Sequence, residues 1–409
     1  MWSDVKLSDL FRIGSSKRVL KSQWQSEGVP FYRGREVTRL SKDGFVDNEL
    51  FISEELYREY FDKYGVPKAG DIIITAIGTI GNSYIVRDGD RFYFKDASVL
   101  WLDKISDVSS EFINYWLKCP LMKDQLDKGN GATVDTLTIK KLQSLHVHLP
   151  PIKEQKRIVA ILDEAFAGID TAIANTEKNL ANARELFESY LNEVFAKKRD
   201  GWEDIKLGAA CVVERGSSPR PIKAYLTDDE DGVNWVKIGD TKGITKYIET
   251  TKQKITKEGA LRSRRVEPGD FILTNSMSYG RPYIMATTGY IHDGWFVLRL
   301  KEHINPDYFY HLLSSRLVQE QFGVLAAGAV VKNISSDLVK KAILPIPPME
   351  QQVEIVAEIE MLSEQVQQLE SIYERKLETL NELKQSLLQK AFSGELTAEK
   401  ANTLKEVKP

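Results

Sequence analysis

The hydrophobic pattern separates the chain into two kinds of segment. Two long stretches carry apolar residues at alternating three- and four-residue steps, with no proline or strand signal inside them. The first follows Pro150-Pro151 and runs to about Lys198. Ile158, Leu162, Ala165, Ile169 and Ala172 lie on its stripe, and Leu180, Ala183, Phe187 and Val194 continue it less strictly. The second follows Pro347-Pro348, with Leu362, Val366, Leu369, Tyr373, Leu377, Leu380 and Leu387 in the same rhythm. This is coiled-coil spacing. A double proline suits a helix start, because the first turn needs no N–H donors. Gly394 suits the end of the second helix. About 45 residues at ~1.5 Å each make a rod of roughly 65–70 Å. The two seams are expected to bury each other as an antiparallel pair, since a whole domain separates them in sequence. That would set the two domains at opposite ends, related by a pseudo-twofold axis. The alternative is that each helix packs on its own domain.

The remaining segments show short alternating or continuous apolar runs bounded by turn residues. Asp71-Ile-Ile-Ile-Thr75, Ser83-Tyr-Ile-Val86, Asp270-Phe-Ile-Leu-Thr274 and Trp295-Phe-Val-Leu-Arg-Leu300 read as strands. Gly-Asp, Gly-Asn and Asp-Gly pairs punctuate them. Phe112-Ile-Asn-Tyr-Trp-Leu117 and Tyr308-Phe-Tyr-His-Leu-Leu313 read as aromatic helices late in each domain. The expected fold class is α+β, mixed: two duplicated α/β domains without regular βαβ alternation, separated by two long helices. The boundaries expected are 1–149 and 200–346 for the globular domains, 150–199 and 347–396 for the helices, and 397–409 for a disordered tail.

The duplication is visible in the residues. Trp2-Ser-Asp-Val-Lys-Leu7 returns as Trp202-Glu-Asp-Ile-Lys-Leu207, and Pro67-Lys-Ala-Gly-Asp-Ile-Ile-Ile-Thr75 returns in outline as Pro268-Gly-Asp-Phe-Ile-Leu-Thr274. GNSYIV at Gly81 returns as GRPYIM at Gly280, GATV at Gly131 as GAVV at Gly328, and Leu149-Pro-Pro151 as Ile346-Pro-Pro348. A period of roughly 200 residues is too long for a solenoid, whose repeats run about 20–50 residues. It is a duplicated module of one domain and one helix.

Composition changes this picture little. Hydrophobic residues make up 42% and charged residues 28% of the 409, an ordinary globular balance. No apolar run of roughly 18 residues suggests a membrane span, and no basic-then-apolar start suggests a signal peptide. The two cysteines, Cys119 and Cys211, stand in no metal-ligand spacing, which fits a reducing cytoplasm. Charge distribution matters more. The net charge is −3, yet Lys17–Lys42 has a local balance of +5 and Lys237–Arg265 one of +6, masked by −6 over Met349–Leu396. Two basic islands, one in each repeat, fit a polyanion partner better than an unevenly charged solvated surface.

Catalytic chemistry finds little support. A base-flipping adenine methyltransferase needs a polar residue before Pro-Pro-aromatic; here the proline pairs follow Leu149 and Ile346. Asn305-Pro-Asp-Tyr308 lacks the second proline and reads as a helix entry capped by Asn305. Gly78-Thr-Ile-Gly81 lacks the lysine of a phosphate-binding loop. Of five histidines, His146, His148, His292, His303 and His311, the first two alternate on one strand without a recognisable ligand set. Asp71 and Asp270 read as turn acids.

LPPIKEQKRIVAILDE, IPPMEQQVEIVAEIE, VPFYRGREV at Val29 and NSMSYGRPYIM at Asn275, in this duplicated layout, resemble the specificity subunits of type I restriction–modification systems. The resemblance spans nearly the whole chain. It implies two target-recognition domains, each reading one half of a bipartite double-stranded DNA site. It also implies a helical spacer that sets the gap and docks two methyltransferase (modification) subunits, with restriction/translocase subunits in the full complex. No cofactor is implied for this chain itself: S-adenosylmethionine belongs to the modification subunit, ATP and Mg to the restriction subunit. The modified base implied is adenine. The rival reading is an architectural tether, a coiled coil carrying two protein-binding domains, which would show no salt-dependent retention on DNA.

Arg can bond guanine with two hydrogen bonds, and Asn or Gln adenine, while phosphate contacts supply position. The candidates in the first domain are Lys17 and Arg18; Tyr32, Arg33 and Arg35 in FYRGRE; Thr79, Asn82 and Ser83 in GTIGNS; and Asn130 and Thr133 in GNGATV. In the second they are Arg215, Ser217, Ser218 and Arg220 in ERGSSPR, with Lys237, Ser276, Ser278, Tyr279, Arg281, Lys332 and Asn333. Any of them can equally serve as a turn residue. Gly81 and Gly280 read as backbone punctuation, and Tyr84 and Tyr283 as core.

Overall fold

A computed structural model describes residues 2–127, 136–275, 280–301, 303–327 and 335–396. The chain divides into two compact units. One joins residues 1–177 to 375–409, and the other is residues 178–374.

In the first unit the short runs become an antiparallel four-stranded sheet, ordered Phe11–Gly14, Val99–Lys104, Ile72–Thr75, Ser83–Ile85. Ile72, Ile73 and Ile74 are wholly buried, so this central strand is covered on both faces. A smaller sheet places Val29–Tyr32 between Phe51–Ile52 and Tyr93–Phe94, the latter pair parallel. Ser3–Lys6 pairs with His146–Leu149 in the register Ser3↔Leu149, which brings the two ends of the domain side by side. His146 and His148 do alternate on this strand, and His146 Nδ1 lies 2.8 Å from Asp4 Oδ2.

The second unit repeats the plan with additions. Its main sheet runs Cys211–Arg215, Trp295–Leu300, Phe271–Thr274, Pro282–Met285, and gains the short parallel strand Tyr247–Ile248 at the edge. Its second sheet has five strands, with Val233–Val236 at the centre. Glu203–Lys206 pairs with Ile343–Ile346, as its counterpart does. Hydrogen bonds repeat along with the strands. The Gly81 amide donates to the Thr75 carbonyl (3.1 Å), and the Gly280 amide to that of Thr274 (2.9 Å). Both glycines have positive φ, +92° and +75°, which a turn this tight demands. Tyr84 and Tyr283 are buried, as expected of core residues. Asn305 caps the helix Pro306–Ser314, its Oδ1 accepting from the Asp307 and Tyr308 amides.

The long helices span Ile152–Ala196 and Met349–Ser393, the second ending at Gly394 with φ +86°. Within the first unit, Ile158 and Leu162 from the start of one share a core with Leu388, Ala391 and Phe392 from the end of the other. Within the second unit, Leu191 and Phe195 meet Ile355, Val356 and Ile359, and Arg184 pairs with Glu370. In each unit the two segments run antiparallel. The two expected alternatives coexist, since each segment packs on its partner helix and on the adjoining domain: Phe112 faces Phe392, and Tyr308 faces Phe195. The buried stripe differs in detail from the one read in the sequence. Leu191 and Phe195 are buried although they lie off that stripe, and Leu369 is 39% exposed although it lies on it. The domain core draws the former in, and a heptad count made on an isolated helix does not include that core.

Each double proline is fastened by a buried glutamine. Gln155 Nε2 donates to the Pro150 carbonyl (2.8 Å) while its Oε1 accepts from the Ser109 amide (2.9 Å). Gln352 does the same with the Pro347 carbonyl (2.8 Å) and the Asn305 amide (2.7 Å). Both glutamines are almost wholly buried. Among the described residues no helix is long and apolar enough to cross a membrane.

Candidate nucleic-acid interface

The strand Val29–Tyr32 delivers its last residues to the end of the small sheet, where the helix Gly34–Asp43 begins. Tyr32 is half-buried and stacks on Phe92, with ring centroids 4.6 Å apart. Arg33 turns onto Glu36: its Nε and Nη2 reach the carboxylate at 3.1 and 2.8 Å, and its amide at 2.9 Å. Arg35 joins at 2.6 Å through Nε and pairs with Glu49 at its other end. Burial opposes ionisation of Glu36, but the bonds from Arg33 and Arg35 overcome it and hold the carboxyl down at about 2. Arg33 is therefore committed to its own helix, while Arg35 remains half exposed.

The second unit carries the same device in smaller form. Lys237 follows the strand Val233–Val236, and its amide donates to Asp240 Oδ2 at 2.8 Å. The element after Lys237 is only a four-residue 3-10 turn, Ile238–Thr241. The Lys237 side chain is exposed, with Nζ 3.2 Å from Gln253 Oε1.

Glu36 yields a prediction. Its folded pKa lies below the ordinary carboxylate value, so its stabilisation is present in full above about pH 4.5 and is lost as pH falls toward about 2. A shift of this size corresponds to about 3 kcal/mol. Glu36→Gln should lower stability by up to about that amount at pH 7 and flatten the dependence between pH 4.5 and 2. Urea denaturation at pH 7 and pH 3 measures both. An unchanged acid profile would contradict the assignment.

The turn after Ile72–Thr75 places its candidates unequally. Thr79 is exposed, and its carbonyl accepts from the Thr75 hydroxyl. Asn82 Nδ2 donates to Thr38 Oγ1 at 3.0 Å, tying the turn to the helix Gly34–Asp43. Ser83 is buried, its hydroxyl bonded to Asn114 at 2.7 Å, so it supports the core and does not face a ligand. In the second unit Arg281 is exposed at the matching turn, its guanidinium 5.4 Å from the centroid of the Tyr283 ring. Asn130, Thr133, Ser276, Ser278, Tyr279, Lys332 and Asn333 lie outside the described residues.

Lys17 and Arg18 fall in the segment after Phe11–Gly14. Lys17 is exposed, with Nζ 5.7 Å from the Tyr64 ring centroid. Arg18 Nε bonds Asp96 at 2.9 Å, and its side chain is 71% exposed. Arg220 stands likewise beside Asp293 at 3.6 Å, with its side chain 82% exposed. Ser218 fixes that aspartate at 2.6 Å; its hydroxyl and the nearby Arg220 hold the Asp293 carboxyl below the usual range. Arg215 Nε donates to the Asp293 carbonyl at 3.3 Å, and the Ser217 amide to that of Ile291 at 3.2 Å. Asp96 and Asp293 escape a sequence reading, because each lies more than 70 residues from its arginine. A signal is present nonetheless: Gly14-Ser-Ser-Lys-Arg18 and Gly216-Ser-Ser-Pro-Arg220 are another copy of the repeat.

Among the described residues no three His, Cys, Asp or Glu side chains cluster as a metal site requires. Burial pushes the thiols of Cys119 and Cys211 up to about 11 and about 12, which keeps them unreactive. Burial also lowers His292, and His311 to about 4.

The sequence matches the type I restriction modification DNA specificity domain twice, over residues 1–182 and 199–379. It is 32% identical over 195 residues to a putative type I restriction enzyme specificity subunit of Haemophilus influenzae, covering 46% of this chain and 48% of that protein. It is 26% identical to the EcoBI specificity subunit of Escherichia coli, covering 66% and 62%. The chain thus spans about half the length of the first relative and less than two thirds of the second. In fold it resembles a chain from a solved type I R-M system with a TM-score of 0.77 at 19% identity, covering 97% of this chain and 98% of that one. It also resembles the HsdS subunit from Thermoanaerobacter tengcongensis with a TM-score of 0.58 at 19% identity, covering 97% of each. The chain belongs to the family defined by the type I restriction–modification DNA specificity domain, and it carries that domain twice.

Proposed function

We propose that this chain is the DNA-recognition subunit of a type I restriction–modification complex. Each globular domain reads one half of a bipartite target, and the paired helices set the gap and dock the modification subunits. The chain catalyses nothing itself. S-adenosylmethionine is bound by the modification subunit, ATP and Mg by the restriction subunit, and the complex works in the cytoplasm of a bacterium or archaeon. The observation that carries this reading is the double match to one DNA-specificity domain. The exposed cations of both repeats support it: Arg18 and Arg35 in one, Arg220, Lys237 and Arg281 in the other. Duplicated readers suit paired half-sites at fixed separation.

The test is retention on DNA by the complex reconstituted with its cognate modification subunit. Binding should favour one target sequence and weaken steeply with salt. Retention that depends on neither salt nor sequence would defeat the reading. The duplicated helices also make a stoichiometric prediction, that two modification subunits bind per chain. Light scattering that finds one copy at saturation would count against it.

A further inference from the structure

The two units are alike in some places and unlike in others, and the pattern of likeness carries information about DNA. The sugar–phosphate backbone is chemically the same at both half-sites, whereas the base edges differ. Parts that hold backbone can therefore be duplicated unchanged, while parts that read bases must diverge.

The arginine loops are duplicated. Gly14-Ser-Ser-Lys-Arg18 and Gly216-Ser-Ser-Pro-Arg220 each follow the first strand of the main sheet. Each is stapled to the strand of its unit's second sheet that precedes an aspartate, Tyr93–Phe94 in one and Gly289–Ile291 in the other: the Ser16 hydroxyl donates to the Phe94 carbonyl (2.6 Å), and the Ser217 amide to the Ile291 carbonyl (3.2 Å). In both, that aspartate steadies the arginine from one side while most of the side chain stays exposed. A guanidinium held this way keeps donors free for a phosphate.

The helix Gly34–Asp43 is not duplicated. It packs Val37 and Leu40 against Ile73, Tyr84 and Val86, and turns Arg35, Arg39 and Lys42 outward. In the second unit no such helix stands there: Ile238, from a short turn, and Ile244, just after it, pack against the cluster of Ile272 and Tyr283. Among the described residues neither Arg39 nor Lys42 has a carboxylate in ion-pair contact, unlike Arg33 and Arg35. The helix has ten residues, about 15 Å of length, and a major groove about 12 Å wide admits an α-helix.

Resting on the DNA-recognition reading above, we infer that Arg18 and Arg220 grip backbone phosphates, one at each half-site, while the helix Gly34–Asp43 reads base edges through Arg39 at one half-site only. The experiment uses the full chain assembled with its modification subunits, with methylated sites mapped by sequencing and duplex binding measured against salt. The unsubstituted complex is measured first. If it shows no sequence preference, the functional reading itself fails.

Given that preference, Arg39→Ala should relax one position in one half-site, with discrimination there falling about tenfold, and leave the other half intact. Arg39→Lys keeps the charge but loses the fork and should relax the same position. Arg18→Ala and Arg220→Ala should each weaken binding to all duplexes alike, lower the salt slope by about 1, and leave the methylated sequence unchanged. The division is overturned if Arg39→Ala leaves specificity unchanged or weakens all sequences equally. It is equally overturned if Arg18→Ala or Arg220→Ala alters which sequence is methylated.

Discussion

Exchanging residues 200–346 for the matching domain of another specificity subunit should abolish methylation of the present target and create a new one sharing only one of its halves. The physical basis is the closure of the domain on itself. Glu203–Lys206 pairs with Ile343–Ile346, so both cut points lie beside adjacent strands and the excised piece has its ends together. Most of its core is internal: Phe271, Phe296, Leu298, Phe309 and Leu312 all lie between the cuts. The helices contribute Leu191, Phe195, Ile355 and Ile359 to that core, so a donor domain with matching apolar residues at its helix-facing surface is required. The first domain's core draws on none of the exchanged residues. Sequencing of methylated DNA would show one half-site replaced and the other retained. Replacement of both halves would mean that the domains do not read independently.

Gln352→Ala should be among the most destabilising single substitutions of a polar residue, at about 2–5 kcal/mol. The side chain satisfies the Asn305 amide and the Pro347 carbonyl at once, both near a buried residue with about 1% exposure. Its removal strands a buried carbonyl and a part-buried amide, at about 1–3 kcal/mol each. Nor is the damage local, because Asn305 caps the helix Pro306–Ser314 and the Pro347 carbonyl precedes the helix Met349–Ser393. Gln155→Ala should act in the same way through the Ser109 amide and the Pro150 carbonyl. Denaturant titration measures both, and a loss under about 0.5 kcal/mol would show that water or relaxation replaces the glutamine.

Features governed by local rules are legible in the sequence. Apolar runs of four to six residues form the strands Ile72–Thr75, Phe271–Thr274 and Trp295–Leu300. Asn305 caps, Gly394 ends a helix, and the proline pairs precede the long helices. Features that depend on distant partners are not legible. Glutamines 155 and 352 read as ordinary polar positions of an amphipathic helix, because one partner of each, the Ser109 or Asn305 amide, lies nearly 50 residues away. FYRGRE reads as a basic ligand-facing stretch, but Glu36 captures Arg33 within one helical turn, and the density of charge hides the helix itself. Ser83 sits in a turn-like string yet points inward to Asn114, because strand alternation sets its direction. Arg39 and Lys42 belong to the basic island without standing out in it, since only the buried face of the helix reveals which residues its other face presents.

The most direct test of paired half-site reading is methylation mapping of DNA from cells that express this chain with its cognate modification subunit. Two short defined sequences separated by an undefined gap of fixed length, with adenine modified, is the predicted result. A single contiguous target, a gap of variable length, or methylation that does not depend on this chain would contradict it.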